Sequence, residues 1–119
     1  MTVEISAILP VYNGGQYLAA SIESILAQSF KNFELIIVDD ASIDDSLEIA
    51  KKYAAMDSRV RVLENAENKK LPESLNVGFA SARGAYWTWT SHDNLYRSNA
   101  LEKLIAAIKN APDAVLVAA

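Results

Sequence analysis

Short apolar runs alternate along this chain with stretches whose apolar residues recur every three or four positions. Those are the spacings of buried strands and amphipathic helices. Residues 3–9 predict a first strand. Residues 16–28 predict a helix with Leu18, Ile22, Ile25 and Leu26 on one face. Residues 33–38 predict a second strand, and Leu35-Ile36-Ile37-Val38 is apolar on both faces, as in parallel strands covered on both sides. A second helix is predicted to open at Ser42 as N-cap, with Asp45 three residues on, and to bury Ile43, Leu47, Ala50 and Ala54. A third strand is expected at 60–63. A third helix is expected at 71–82, with Pro72 in its first turn, Leu71, Leu75, Phe79 and Ala82 as its stripe, and Gly84 as its C-terminal cap. Residues 85–90 predict a fourth strand, with Trp87 and Trp89 on one face assigned to the core. Asn99 opens a fourth helix carrying Leu101, Leu104, Ile105 and Ile108. Asn110 and Pro112 end it, and a fifth strand begins at Ala114.

Repeated strand–helix alternation predicts an α/β fold with a mainly parallel sheet, helices on both faces and right-handed crossovers. At 119 residues the chain is one domain with a real core. It stops within the apolar run 115–119; an unprotected parallel strand is an unusual domain end, so residues 1–119 are expected to be the front part of a longer protein.

Composition narrows the chemistry. The absence of Cys removes disulfide scaffolds, thiolate metal sites and cysteine nucleophiles. Eleven basic against fifteen acidic residues give a net charge of −4, which argues against general nucleic-acid binding. No run approaches membrane-spanning length and no signal peptide is visible, so a cytoplasmic setting is expected, with the inner face of the membrane reached through missing parts. There is no Walker loop, G-x-G-x-x-G fingerprint or G-x-S-x-G elbow.

In open α/β sheets ligands bind beyond the carboxyl ends of the strands, where the strand order reverses. Three loops stand at such ends: Pro10-Val11-Tyr12-Asn13-Gly14-Gly15, Asp39-Asp40-Ala41-Ser42 and Ser91-His92-Asp93-Asn94. They converge if strands one and two are neighbours and strand four flanks strand one on its other side. Tyr12 can lie against a flat base; Pro, Asn and Gly also serve the turn itself. Asp39 and Asp40 can accept hydrogen bonds from a base or ribose, ligate a hard cation, or cap the following helix. Asp93 suits Mg²⁺ or Mn²⁺. His92, the sole histidine, is a ligand candidate or a structural hydrogen-bonder. Asp44 and Asp45 read as solvated first-turn charges, and Lys69 and Lys70 as solvated loop lysines.

In order and spacing these segments resemble glycosyltransferase family 2. The resemblance rests on residues 5–13, on 18–30 with the ending Gln28-Ser29-Phe30, on 33–42, on Leu75-Asn76-Val77-Gly78-Phe79 with Ala82-Arg83-Gly84-Ala85-Tyr86, and on Trp89-Thr90-Ser91-His92-Asp93-Asn94 at the place of the metal motif. It implies a Rossmann-like GT-A fold whose N-terminal part binds a nucleotide-diphosphate sugar. By resemblance, Pro10, Tyr12, Asn13, Asp39, Asp40 and His92 would line the nucleotide site, and Asp93 would bind a divalent cation, Mn²⁺ or Mg²⁺. It also implies inverting transfer from a UDP-sugar to a saccharide or lipid-linked acceptor in polysaccharide assembly. His92 stands where the family usually has an acidic residue, and no residue here matches the family's catalytic base, so none is assigned. A catalytically silent nucleotide-binding or assembly module of the same fold stays open, as does a homodimer. A receiver-type signalling domain fits poorly: its acidic pair belongs after the first strand, which here ends in Pro10-Val11-Tyr12.

Overall fold

The computed structural model describes residues 3–90 and 98–109. In chain order the elements are β1 (Ile5–Val11), α1 (Gly15–Leu26), β2 (Phe33–Asp39), α2 (Ser46–Met56), β3 (Val60–Glu64), α3 (Lys70–Ser81), β4 (Tyr86–Trp89) and α4 (Ala100–Lys109). The strands form one parallel sheet in the order β3-β2-β1-β4. This is the arrangement that the convergence of the three loops required. The predicted helix end at Asn110 and Pro112 and the fifth strand lie outside the described residues, as does the side chain of Ile108.

All seven positions of β1 and of β2 are buried, so the sheet has covered faces on both sides. Ile5, Ala7, Leu9 and Val11 alternate onto one face with Leu35 and Ile37; there they meet Leu18, Ile22 and Ile25 of α1, Ala50 of α2, and Leu101, Leu104 and Ile105 of α4. Ile8, Ile36 and Val38 point the other way and meet Leu75 and Phe79 of α3. A Cβ on Gly78 would collide with the Ile8 side chain, so the glycine lets α3 seat closely on the sheet. From β1 to β3 the chain steps one way along the sheet, and α3 then carries it back across to β4. The switch point lies between β1 and β4.

Four local expectations are corrected. Helix α2 starts at Ser46, not after Ser42, and Ile43 is 90% exposed. The cause is a loop at 41–45 held by hydrogen bonds to the β1–α1 turn, with Ala41 at a positive φ of 60°. Leu71, predicted for the α3 stripe, is 47% exposed; Ser74 and Gly78 are buried instead. Trp87 and Trp89 are 47% and 41% exposed, whereas Thr88 is buried. In register, Trp87 pairs with Ser6 and Trp89 with Ile8, so both indoles take the α3 side of β4, the outer strand of the described sheet. Trp87 stacks on Phe79 with centroids 5.4 Å apart and donates its indole N–H to the Gly84 carbonyl at 3.1 Å.

Lastly, Gly84 does not cap α3, which ends at Ala82 in an extended conformation. Gly84 is needed because a Cβ there would stand 2.7 Å from the Ser6 nitrogen and 2.8 Å from the Ile5 carbonyl carbon. Gly84→Ala is therefore expected to cost about 1–3 kcal/mol, the usual penalty of overpacking. Urea unfolding would show it as a lower midpoint at unchanged slope.

Candidate functional site

The carboxyl ends of β1 and β2 are level, with Val11 opposite Asp39 and Asp39 opposite Glu64. The turns beyond them are tied together. The Asp40 N–H donates to the Val11 carbonyl at 2.9 Å and the Asn65 N–H to the Asp39 carbonyl at 2.9 Å. Asn13 N–H donates to Ser42 Oγ at 3.0 Å while Ile43 N–H donates to Asn13 Oδ1 at 2.9 Å, a reciprocal clamp between the first and second loops. Asp44 Oδ2 accepts from Gly15 N–H at 3.1 Å, and Ser46 Oγ from Gly14 N–H at 3.1 Å, so the amino end of α1 is capped from the second loop. Asp44 is thus a fastening residue rather than a free charge. Burial works to raise its pKa, but hydrogen bonds from Ser46 and Gly15 outweigh it and hold the carboxyl below its ordinary value.

The three non-glycine residues with positive φ among the described residues all fall in this region: Asn13 at 50°, Ala41 at 60° and Lys70 at 70°. Such strain persists where surrounding bonds over-determine the turn, and it concentrates at functional sites.

Two expected nucleotide contacts prove to be committed to the protein itself. Asn13 spends its side-chain oxygen on Ile43. Asp40 is buried beneath the loop between β3 and α3. Its Oδ1 accepts from Lys69 N–H at 2.7 Å and from Asn65 Nδ2 at 2.9 Å, and its Oδ2 accepts from Lys70 N–H at 3.0 Å. Burial tends to raise the Asp40 pKa, yet these donors together with Ser74 pull it below the ordinary carboxylate value. The side chains of Lys69 and Lys70 are exposed, as expected, but their backbone amides form the brace.

Asp39 differs from Asp40. It is 2% exposed, and its Oδ2 lies 3.3 Å from the donating Ser42 N–H, while its Oδ1 has no hydrogen-bond partner among the described residues. Buried side-chain polar atoms without partners occur at three places among the described residues: Asp39 Oδ1, Asn68 Oδ1 and Thr90 Oγ1. Asp39 closes β2, Thr90 directly follows β4, and Asn68 lies in the loop that joins β3 to α3. Unmet buried polar groups are rare and call for a reason such as a ligand. Tyr12, which follows Val11 at the same end of the sheet, is 48% exposed. Pro10 is buried in β1 and faces the same side as Ile8, whose carbonyl takes Thr90 N–H at 3.0 Å. The paired ladder has ended there, so a residue without N–H is tolerated.

Asn68 and Thr90 were not singled out from sequence. Thr90 closes the predicted fourth strand, and its place at the strand end was the available signal; Asn68 had none beyond lying in the loop after β3. His92 and Asp93 lie outside the described residues. Among the described residues no group of three His, Cys, Asp or Glu side chains is placed to hold a metal. Gln28, buried at the end of α1, accepts Leu101 N–H at 3.0 Å, and Ser29 N–H donates to the Ser98 carbonyl at 2.7 Å. The Gln-Ser-Phe segment thereby anchors the start of α4, fixing where the chain re-enters the described structure beyond 91–97.

A parallel sheet in the order β3-β2-β1-β4, packed with helices, is the fold of GT-A glycosyltransferases, which are its solved neighbours. Residues 6–119 match the sequence profile of glycosyl transferase family 2, and the chain belongs to that family. It is 46% identical over 107 residues to EpsE of Bacillus subtilis (strain 168), covering 89% of this chain and 38% of EpsE. It is 37% identical over 109 residues to glycosyltransferase GlyG of Streptococcus pneumoniae serotype 4, covering 92% of this chain and 36% of GlyG. The crystal structure of S. aureus TarS residues 1–349 matches with a TM-score of 0.83 and 28% identity, over 91% of this chain and 33% of that one. The chain thus spans under two fifths of the length of each. No helix among the described residues is long and apolar enough to cross a membrane.

Proposed function

We propose that this chain is the N-terminal, donor-binding part of a glycosyltransferase that moves a sugar from a UDP-sugar to a hydroxyl of a saccharide or lipid-linked acceptor, with inversion and with help from a divalent cation. The observation that carries the reading is the buried Oδ1 of Asp39 at the carboxyl edge, unpartnered among the described residues, with the exposed Tyr12 one residue past its strand neighbour Val11. A base N–H or ribose hydroxyl of a nucleotide would supply the missing donor, and Tyr12 would lie against the base. The crystal structures of TarS in complex with UDP and with UDP-GlcNAc, each 27% identical to this chain, support that class of ligand.

Within this reading Asp39 and Tyr12 meet the donor, Pro10 shapes the wall beneath it, and Asn13 and Asp40 hold the loops. Asp93, with His92 beside it, would hold the cation, Mn²⁺ or Mg²⁺; carboxylate oxygen suits both ions, and an imidazole neighbour favours Mn²⁺. When bound, the cation supplies positive charge against the diphosphate leaving group. The base that deprotonates the acceptor is assigned to no residue of this chain.

Calorimetric titration with UDP, with and without Mn²⁺, on the wild type and on Asp93→Ala tests the proposal. Manganese-dependent binding that disappears in Asp93→Ala is the expected result. Absence of binding under both conditions would favour a silent module of the same fold, the reading that His92 in place of an acidic residue invites.

A further inference from the structure

The opposite edge of the sheet, where the strands begin, carries a concavity. Lys31, Phe33, Glu34, Arg59, Arg61 and Arg83 are among the residues lining a cavity of about 350 Å³. Four cations converge there in a chain whose net charge is −4, and the surrounding bonds account for only two of those charges.

Arg61 is matched by Glu34: its Nε and Nη2 stand 3.0 and 2.9 Å from Glu34 Oε1. The other Glu34 oxygen accepts the Ser6 hydroxyl at 2.6 Å and the Arg83 N–H at 2.7 Å. Glu34 is 4% exposed, so its charge is cancelled within the wall. Arg59 is matched by Asp57, with Nε at 3.1 Å and Nη2 at 2.8 Å, and its guanidinium lies 4.6 Å over the Phe33 ring. Lys31 and Arg83 are exposed, and among the described residues neither forms an ion pair. The contacts of Arg59 and Arg61 employ Nε and Nη2, which leaves each Nη1 without a described partner.

We propose that this hollow is a binding site for a phosphate-bearing anion, separate from the donor site. Guanidinium N–H groups match phosphate oxygens in pairs, and a lysine adds a mobile point charge. The fixed Arg59 and Arg61 form the inner wall, and Lys31 and Arg83 supply the uncompensated charge at the rim. The seven-residue β1 separates this edge from the carboxyl edge by about 20 Å, so one phosphate group cannot occupy both. A free phosphate compound and the headgroup of an anionic lipid share this chemistry.

The test follows the amide resonances of residues 31–34, 58–61 and 83–84 during titration with pyrophosphate, alongside sedimentation with phosphatidylcholine vesicles with or without phosphatidylglycerol. Binding is expected to weaken at least about tenfold in the double variant Lys31→Glu, Arg83→Glu, and to weaken with added salt. Both changes are at exposed side chains, and circular dichroism would check the fold. Shifts with pyrophosphate identify a soluble phosphate ligand; sedimentation confined to phosphatidylglycerol vesicles identifies a membrane surface. No response to either probe, equal binding by the double variant, or competition by UDP would overturn the proposal.

Discussion

Asp39→Ala should weaken UDP binding by about ten- to a hundredfold, the loss of one hydrogen bond to a charged acceptor of roughly 1.5–3 kcal/mol, without lowering the stability of the fold. The two halves of this expectation have one cause. Asp39 is 2% exposed and has one oxygen without a partner among the described residues; a buried acceptor left unmet costs about 1–3 kcal/mol. Its other oxygen takes only the long 3.3 Å contact from Ser42 N–H. The ligand-free protein therefore carries a cost at this position that truncation removes. Residues retained against stability at a cleft are those whose partner arrives with the ligand. Calorimetry with UDP and urea unfolding of the same variant measure both halves. If the variant unfolds earlier and binds UDP as before, Asp39 is a loop brace and the nucleotide reading of the carboxyl edge loses its main support.

The path from sequence to this edge was legible where a pattern reports a physical constraint directly. Four apolar residues before Asp39 require a strand buried on both faces, and a strand buried on both faces requires a parallel sheet with helices on each side. The strand order on which the expected convergence of the loops depends is the one the structure has; residues 91–94 lie outside the described residues. What the pattern left undecided was the division of labour between Asp39 and Asp40. Adjacent residues of identical chemistry point to opposite sides of an extended chain, and only the position of the loop between β3 and α3 shows which carboxylate is consumed. The same limit explains the tryptophans. Residue type argues for burial of an indole and exposure of a threonine, but the side of β4 is set by its register with Ser6 and Ile8. Ile43 was misplaced for a different reason. Its spacing to Leu47 fits a helix, yet the clamp formed by Asn13, Ser42 and Asp44 across some thirty residues of sequence keeps 41–45 out of α2. Long-range hydrogen bonds override local periodicity, and a single sequence does not display them.

Asp40 gives the opposite expectation to its neighbour: a large loss of stability, with donor affinity falling only as a consequence. Its carboxylate closes the gap between β2 and the start of α3 by accepting two backbone amides, Lys69 and Lys70, and the Asn65 side chain. Asn65 is itself buried and donates onward to Ser74 Oγ at 3.1 Å. Asp40→Ala would leave these donors facing an empty space and release Lys70 from a positive φ of 70° that nothing else described fixes so directly. Removing one partner from such a buried charged network costs about 3–5 kcal/mol. Asp40→Asn, which keeps the shape but turns one acceptor into a donor beside other donors, should recover only a fraction. The ionised form is the one being held, because the hydrogen bonds outweigh burial and lower the folded-state pKa below the unfolded value. The stabilisation is therefore complete above the unfolded carboxylate pKa of about 3.9 and is lost as pH falls through the lower, folded value. Glu34, Asp44 and Asp57 are shifted in the same direction, so acid should unfold the wild type, and the Asp40→Ala stability should fall less steeply across that window. Urea midpoints of the two proteins measured from neutral pH down to the acid limit would reveal the difference as curves that converge at low pH. Parallel curves would mean that the carboxylate is not ionised against those donors, and that the loop between β3 and α3 is held in place by something other than its charge.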